Sequence, residues 1–289
     1  GRMNMKHIFK FIAISFAAVM AFSACQERYV TYDGDEYVMF ADTLAVYPVM
    51  EGAEEFSIPV VSTVVRDYDR TFGVEVIDRL SNAIERKHYS LESNTITIKA
   101  GETRADVKVR GHYENIGEAD SLGFALQLVM KDELVMPLYG KQTKAVIMKT
   151  GKFDRSKFTG YCVLSSMFLQ NYSQNGGYNR LVYTEPHPTL NNTIICRNWL
   201  KDGYDVELTF NDEDPLMPVV TMARTVAGDQ GSFFGTSYGQ WGDKLYVRSS
   251  NLAQSIFYPL GGYLYIWTEF SVDEYGIVGD FYNVMQWVT

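Results

Sequence analysis

The chain is poor in the residues that carry most protein chemistry. Only 3 cysteines and 4 histidines occur among 289 residues. That excludes a disulfide-dense scaffold. Base is scarce as well: 26 Lys and Arg stand against 35 Asp and Glu, a formal net charge of −9. A body this acidic repels phosphate backbones, so nucleic acid is excluded as a partner. The apolar run at residues 11–22 is too short for a ~30 Å hydrocarbon core, which takes ~20 residues. Internal repeats, low-complexity tracts and heptads are missing, which removes solenoids and coiled coils. Few long helical patterns occur. What is plentiful is aromatic: 14% Phe, Trp and Tyr, with many Val and Thr. This composition favours β-sheet.

The N-terminus has its own logic. Lys6, His7 and Lys10 form a basic start, residues 11–22 are apolar or small, and Phe22-Ser23-Ala24-Cys25 closes the stretch with small residues before a cysteine. A basic region, an apolar region and a small-residue cleavage site make a secretory signal. With a cysteine at the cleavage point the stretch resembles bacterial lipoproteins, although Phe22 stands where leucine is usual. The resemblance implies a signal over residues 1–24, a lipidated Cys25 as mature N-terminus and a polar tether over residues 25–36. It also implies an outer-membrane lipoprotein, periplasmic or surface-exposed, held to the membrane by its acyl chains at ~0.8 kcal/mol per buried methylene. Cleavage leaves 265 residues, and losing Arg2, Lys6 and Lys10 takes the charge to −12. The 265 residues suit about two domains of ~150.

Residues 37–150 carry short alternating runs separated by turns. Ile96 and Ile98 share one face, as do Val107 and Val109, each opposite polar neighbours. Ala100-Gly101-Glu102-Thr103 between two such runs is a hairpin signal, its glycine free to take positive φ. Strands at this spacing point to an antiparallel sandwich. The order His88-Tyr89, Ile96-Thr97-Ile98, Ala100-Gly101-Glu102-Thr103, Ala105-Asp106-Val107-Lys108-Val109 resembles Calx-beta and related immunoglobulin-like modules. It also resembles the N-terminal domains of Bacteroidota lipoproteins of unknown function. Some Calx-beta domains bind calcium through acidic loops. Here the loop acids Glu51, Asp67, Asp69, Glu114, Glu118 and Asp120 lack a calcium loop's regular ligand spacing and read as a solvated rim.

Composition changes after Gly151. All 4 tryptophans and 12 of the 20 tyrosines lie beyond it, which places a second, aromatic-rich β domain at residues 151–289. Strands are expected at 161–169, 179–183, 193–199, 205–210, 219–224, 244–247, 263–270 and 282–288, with Gly, Asn and Asp turns between them. Eight strands with hairpin-length joins suit an up-and-down barrel or a second sandwich. The fold class is therefore all-β.

No catalytic constellation is visible. Gly235-Thr236-Ser237-Tyr238-Gly239 matches G-x-S-x-G by letter, but a nucleophile elbow needs a strand before the serine and a helix after it. His88, His112 and His187 share no metal-ligand spacing, and Asp212, Asp214, Asp273 and Glu274 read as turn carboxylates. Neither metal nor cofactor is expected. Cys162 and Cys196 allow one disulfide in an exported chain and equally two buried thiols.

Binding through aromatic side chains is the stronger option, since Tyr and Trp offer an apolar face with a hydrogen-bonding handle. Trp241, Tyr238 and Phe234 in one Gly-rich stretch, with Tyr172 and Tyr178 in an Asn/Gln/Gly loop, are the candidate ligand contacts. Trp199, Tyr265 and Trp267 are expected in the core or at its edge. Accessory lipoproteins of Bacteroidota often accompany glycan uptake, so the resemblance implies a glycan ligand. The alternative is a structural or adhesive surface protein that binds another protein.

Overall fold

The computed structural model describes residues 34–173, 177–237, 240 and 242–288. The signal, Cys25 and most of the tether lie outside the described residues, as do Tyr238 and Trp241.

Residues 38–149 form a β-sandwich. One sheet has the order β1 (Val38–Phe40), β3 (Glu55–Ser62), β7 (Arg104–Gly111), β5 (Tyr89–Leu91). The other runs β2 (Leu44–Val49), β9 (Gln142–Lys149), β8 (Leu122–Val129), β4 (Arg70–Val76), β6 (Thr95–Ile98). The alternation read from sequence explains the core: Ile96, Ile98, Val107 and Val109 all point inward and are buried. At the hairpin glycine, Gly101, φ is +81°, a conformation that costs glycine little. Tyr89 lies flat on Phe124, with centroids 3.8 Å apart.

Chain direction gives the sandwich two functional ends. β2 runs parallel to β9, from the Leu44–Lys144 pair to the Val49–Lys149 pair. The chain therefore enters beside Glu36 and leaves for the second domain at the opposite end. The entry is fixed by a buried cation. Arg70 donates to Glu36 Oε1 (2.8 Å), Ser62 Oγ (2.7 Å) and the Glu102 carbonyl (2.8 Å), while Arg66 donates to Glu36 Oε2 at 2.7 Å. Burial opposes ionisation of Glu36, but the hydrogen bonds from Arg70 and Arg66 outweigh it and hold the carboxyl below its usual range. A depressed carboxyl adds stability that is fully present above its unfolded pKa, ~4.3, and is lost as pH falls through the folded value. Glu36→Gln should therefore cost ~3 kcal/mol at pH 7, because Arg70 is left buried without a counter-charge. Thermal melts from pH 7 to pH 3 check this, and the gap to wild type should narrow below about pH 4.

Residues 158–287 build a second core around a closed barrel. The circuit is β10 (Gly160–Ser166), β11 (Asn179–Pro186), β12 (Thr193–Arg197), β13 (Val206–Asn211), β14 (Val219–Thr221), β17 (Ile256–Tyr258), β18 (Tyr263–Val272) and β19 (Gly276–Trp287), with β19 pairing back onto β10. β15 (Thr225–Asp229) and β16 (Lys244–Ser249) extend the wall beside the upper half of β18. Of the two architectures left open by the sequence, the barrel is the one formed. The run 161–169 is strand only to Ser166. The Ser166 hydroxyl then accepts from the Leu169 amide and caps a short helix, α1 (Met167–Tyr172), as an N-cap serine does. Asp229 caps α2 (Gln230–Phe234) in the same way. The span 219–224 is strand only to Thr221, as β14, and neither β15 nor β17 was legible.

The two aromatic types divide between the barrel's faces. Phe158, Phe168, Phe210, Phe257, Phe270 and Phe281 are buried inside it, and Phe168 stacks on Phe270 at 3.9 Å. No tyrosine of this domain belongs to the buried class among the described residues. A phenol needs a polar partner when buried, and an apolar barrel supplies few. Cys162 and Cys196 are both free and buried. They sit on β10 and β12, with β11 between them, so two strand spacings, roughly 10 Å, separate their backbones. That exceeds the ~4.4–6.8 Å of a disulfide, and burial pushes the Cys162 thiol up to about 12.

Candidate functional site

The barrel interior is filled, so its outer wall and its ends are the surfaces left for a ligand. Alternation along β18 sends Leu264, Ile266 and Phe270 inward, leaving Tyr263, Tyr265 and Trp267 outside. β19 contributes Tyr282, whose backbone pairs with Trp267, and β17 contributes Tyr258, which pairs with Tyr263. Five rings thus form one connected ribbon across three strands. Successive centroids are 4.3 Å (Tyr258–Tyr263), 5.9 Å (Tyr263–Tyr265), 5.5 Å (Tyr265–Tyr282) and 5.2 Å (Tyr282–Trp267) apart. Tyr258, 37% exposed, is the most open, and the other four are half-buried.

The ribbon is uncharged. Burial raises the phenol of Tyr263, helped by Tyr258 and Tyr265, and takes Tyr282 up to about 12. Charges stand only at its two ends. Past Trp267 and Tyr282 the next outward pair is Glu269 opposite Asp280, and Arg248 Nε donates to Glu269 Oε1 at 2.8 Å. Asp280 Oδ1 is buried with no hydrogen-bond partner among the described residues. At the other end Tyr258 and Tyr263 open into a cleft of about 330 Å³ between barrel and sandwich, whose other walls include Met148, Lys149, Met217, Leu260 and Glu118. A hydrogen bond from Thr150 Oγ1 to the Pro215 carbonyl (3.2 Å) and one from the Phe153 amide to Asp212 (2.8 Å) close the junction beside it.

The candidates read from sequence go elsewhere. Tyr172 and Phe234 meet edge-on at 5.1 Å and pack on Phe168 and Phe281. They plug one end of the barrel and line an open hollow of about 620 Å³ with Asn171, Tyr275 and Ile277. Tyr178 stands half exposed before β11. Tyr238 and Trp241 lie outside the described residues. Trp199 is wholly buried in the core, whereas Tyr265 and Trp267 are on the outer face. The signal for the ribbon was the two-residue alternation Tyr263-Leu264-Tyr265-Ile266-Trp267, which puts all three rings on one side.

The polar residues weighed for catalysis have local partners. His88 is buried, its Nδ1 accepting from the Ile84 amide at 2.9 Å, and burial lowers its pKa. His187 Nδ1 accepts from the Thr189 and Leu190 amides, and Asp273 pairs with Arg224. Ser237 follows α2 and precedes β16, the reverse of an elbow. Among the described residues no group of three or more His, Cys, Asp or Glu could hold a metal ion.

An all-β chain of a sandwich followed by a closed barrel, with an aromatic strip on the barrel wall, is the class these features define. The chain belongs to the family named as a domain of unknown function, DUF4984, whose model matches residues 138–289. Among curated proteins no match is found. Among solved structures, a protein of unknown function from Bacteroides ovatus is 12% identical, over 86% of this chain and 90% of that one, with a TM-score of 0.36. An auxiliary nutrient binding protein from Bacteroides thetaiotaomicron is 14% identical, over 84% and 90%, with a TM-score of 0.33. The apo form of a Calx CBD1 domain is 17% identical, over 40% of this chain and 98% of that domain, with a TM-score of 0.32.

Proposed function

We propose that this is a lipid-anchored, exported binding protein without catalytic activity, and that its ligand is a glycan held on the outer aromatic ribbon. One observation carries the reading: five connected, uncharged rings face outward on a wall whose inward face is fully packed. Sugar rings present flat C–H faces that stack on Tyr and Trp, and the phenol hydroxyls and the polar end at Arg248 and Glu269 are placed to meet hydroxyls. The sandwich then serves as a spacer. Its tether root and the barrel junction lie at opposite ends, roughly 26 Å apart at ~3.3 Å per residue over the 8 residues of β9.

A second reading, a scaffold that binds another protein, is favoured by one observation. Tyr161, Val163, Leu181 and Tyr183 form an exposed apolar patch on the neighbouring strands β10 and β11, with Leu181 63% exposed. Contiguous patches of this kind mark interaction surfaces. A glycan array with the full-length mature chain separates the two. Saturable binding lost in Trp267→Ala supports the first reading, while no glycan hit together with cross-linking to a neighbouring surface protein supports the second. Mass spectrometry of native material is expected to show an acylated N-terminal Cys25, and an unmodified N-terminus would remove the anchor.

A further inference from the structure

We infer that the ribbon takes the interior of a long, uncharged polysaccharide chain, in preference to a chain end, a single sugar or a charged glycan. The inference rests on the glycan reading above and adds the ligand's length and charge.

Length follows from the shape of the strip. From Tyr263 to Glu269 the outward positions of β18 cover six residues, roughly 20 Å at ~3.3 Å each. The strip lies on the convex side of a closed barrel. It runs at one end into the cleft beside Tyr258 and at the other past Trp267 to Arg248 and Glu269. A surface that continues at both ends lets a polymer enter and leave. Reading a terminus takes walls on several sides of one sugar, the concave geometry of small-ligand pockets. The rings repeat at 4.3–5.9 Å, so each offers a similar modest contact, and successive sugars on one chain engage them at high effective concentration.

Charge follows from the borders. Tyrosine and tryptophan side chains carry no formal charge, and the cations at the ends of the strip are already engaged. Arg248 is bonded to Glu269, and Lys149 lies 4.0 Å over the ring of Tyr113. Glu118 in the cleft and Asp280 beside Glu269 add further negative charge. Three carboxylates border the strip against two cations, on a chain of net charge −9. A carboxylated or sulfated glycan would meet net repulsion and no available cation.

The test runs the full-length mature protein through native gels containing dextran, hydroxyethylcellulose, galactomannan or laminarin, and through gels containing alginate or polygalacturonate. Calorimetry then follows size-fractionated fragments of whichever polymer retards it. At least one neutral polymer should retard migration and neither acidic one should. Affinity should rise about tenfold or more from the shortest binding fragment to the plateau, with no competition from the free monosaccharide. Retardation by an acidic polymer, or competition by the monosaccharide, overturns the inference and leaves the glycan reading intact. Migration unchanged by every polymer overturns both.

Discussion

Trp267→Ala is expected to weaken glycan binding at least 30-fold, about 2 kcal/mol, while the melting temperature stays within a few degrees of wild type. A loss of that size is what truncating a central aromatic contact costs at a binding surface. The fold should tolerate it because the side chain lies outside the barrel. It touches Tyr282 at 5.2 Å, but its backbone bonds, from its amide to Ser255 Oγ (2.9 Å) and from the Ser250 amide to its carbonyl (2.9 Å), do not depend on the indole. Isothermal calorimetry beside a thermal melt separates the two effects. A large drop in melting temperature with unchanged affinity would make Trp267 a structural residue and remove it from the site.

Phe168→Ala should do the opposite. This ring is fully buried, stacks on Phe270 at 3.9 Å and meets Phe233 and Phe281 edge-on at 5.1 and 5.3 Å. Removing it deletes the centre of the barrel's aromatic core, for an expected loss of ~3–5 kcal/mol. At about 3 °C per kcal/mol for a domain of this size, the melt should fall by roughly 10–15 °C. Glycan affinity measured below that melt should hold within a few-fold. The variant thereby distinguishes the two faces of the barrel, because Phe168 also supports Tyr172 and Phe234 at the end hollow. Loss of binding in the still-folded variant would move the site to that hollow.

The sandwich was readable because its strands alternate cleanly. Ile96, Ile98, Val107 and Val109 gave the buried face, and Ala100-Gly101-Glu102-Thr103 gave the turn, since each pattern has one physical outcome. The barrel was readable as a count of strands but not as a closed circuit. Closure depends on β19 pairing with both β10 and β18, contacts more than a hundred residues apart for the first pair, and no local pattern encodes them. The candidate site was hidden for a different reason. Glycine-rich loops drew attention to Tyr238, Trp241 and Phe234, while Tyr265 and Trp267, sitting in a regular strand, read as core or core edge. Counting Tyr apart from Phe would have drawn Tyr265 out, because in the barrel no described tyrosine is buried while phenylalanines fill the interior. α1 and α2 escaped notice because a single serine or aspartate cap begins each, and neither is long enough to show a helical period.

Whether the ligand lies on the outer wall is the claim on which the rest depends, and hydroxyl-radical footprinting read by mass spectrometry tests it residue by residue. With a retarding neutral polysaccharide present, oxidation of Tyr258, Tyr263, Tyr265, Trp267 and Tyr282 should fall several-fold, while Tyr172, Phe234 and Tyr275 at the barrel end stay as reactive as in the free protein. Protection confined to the barrel end, with the five ribbon residues unchanged, would contradict the account.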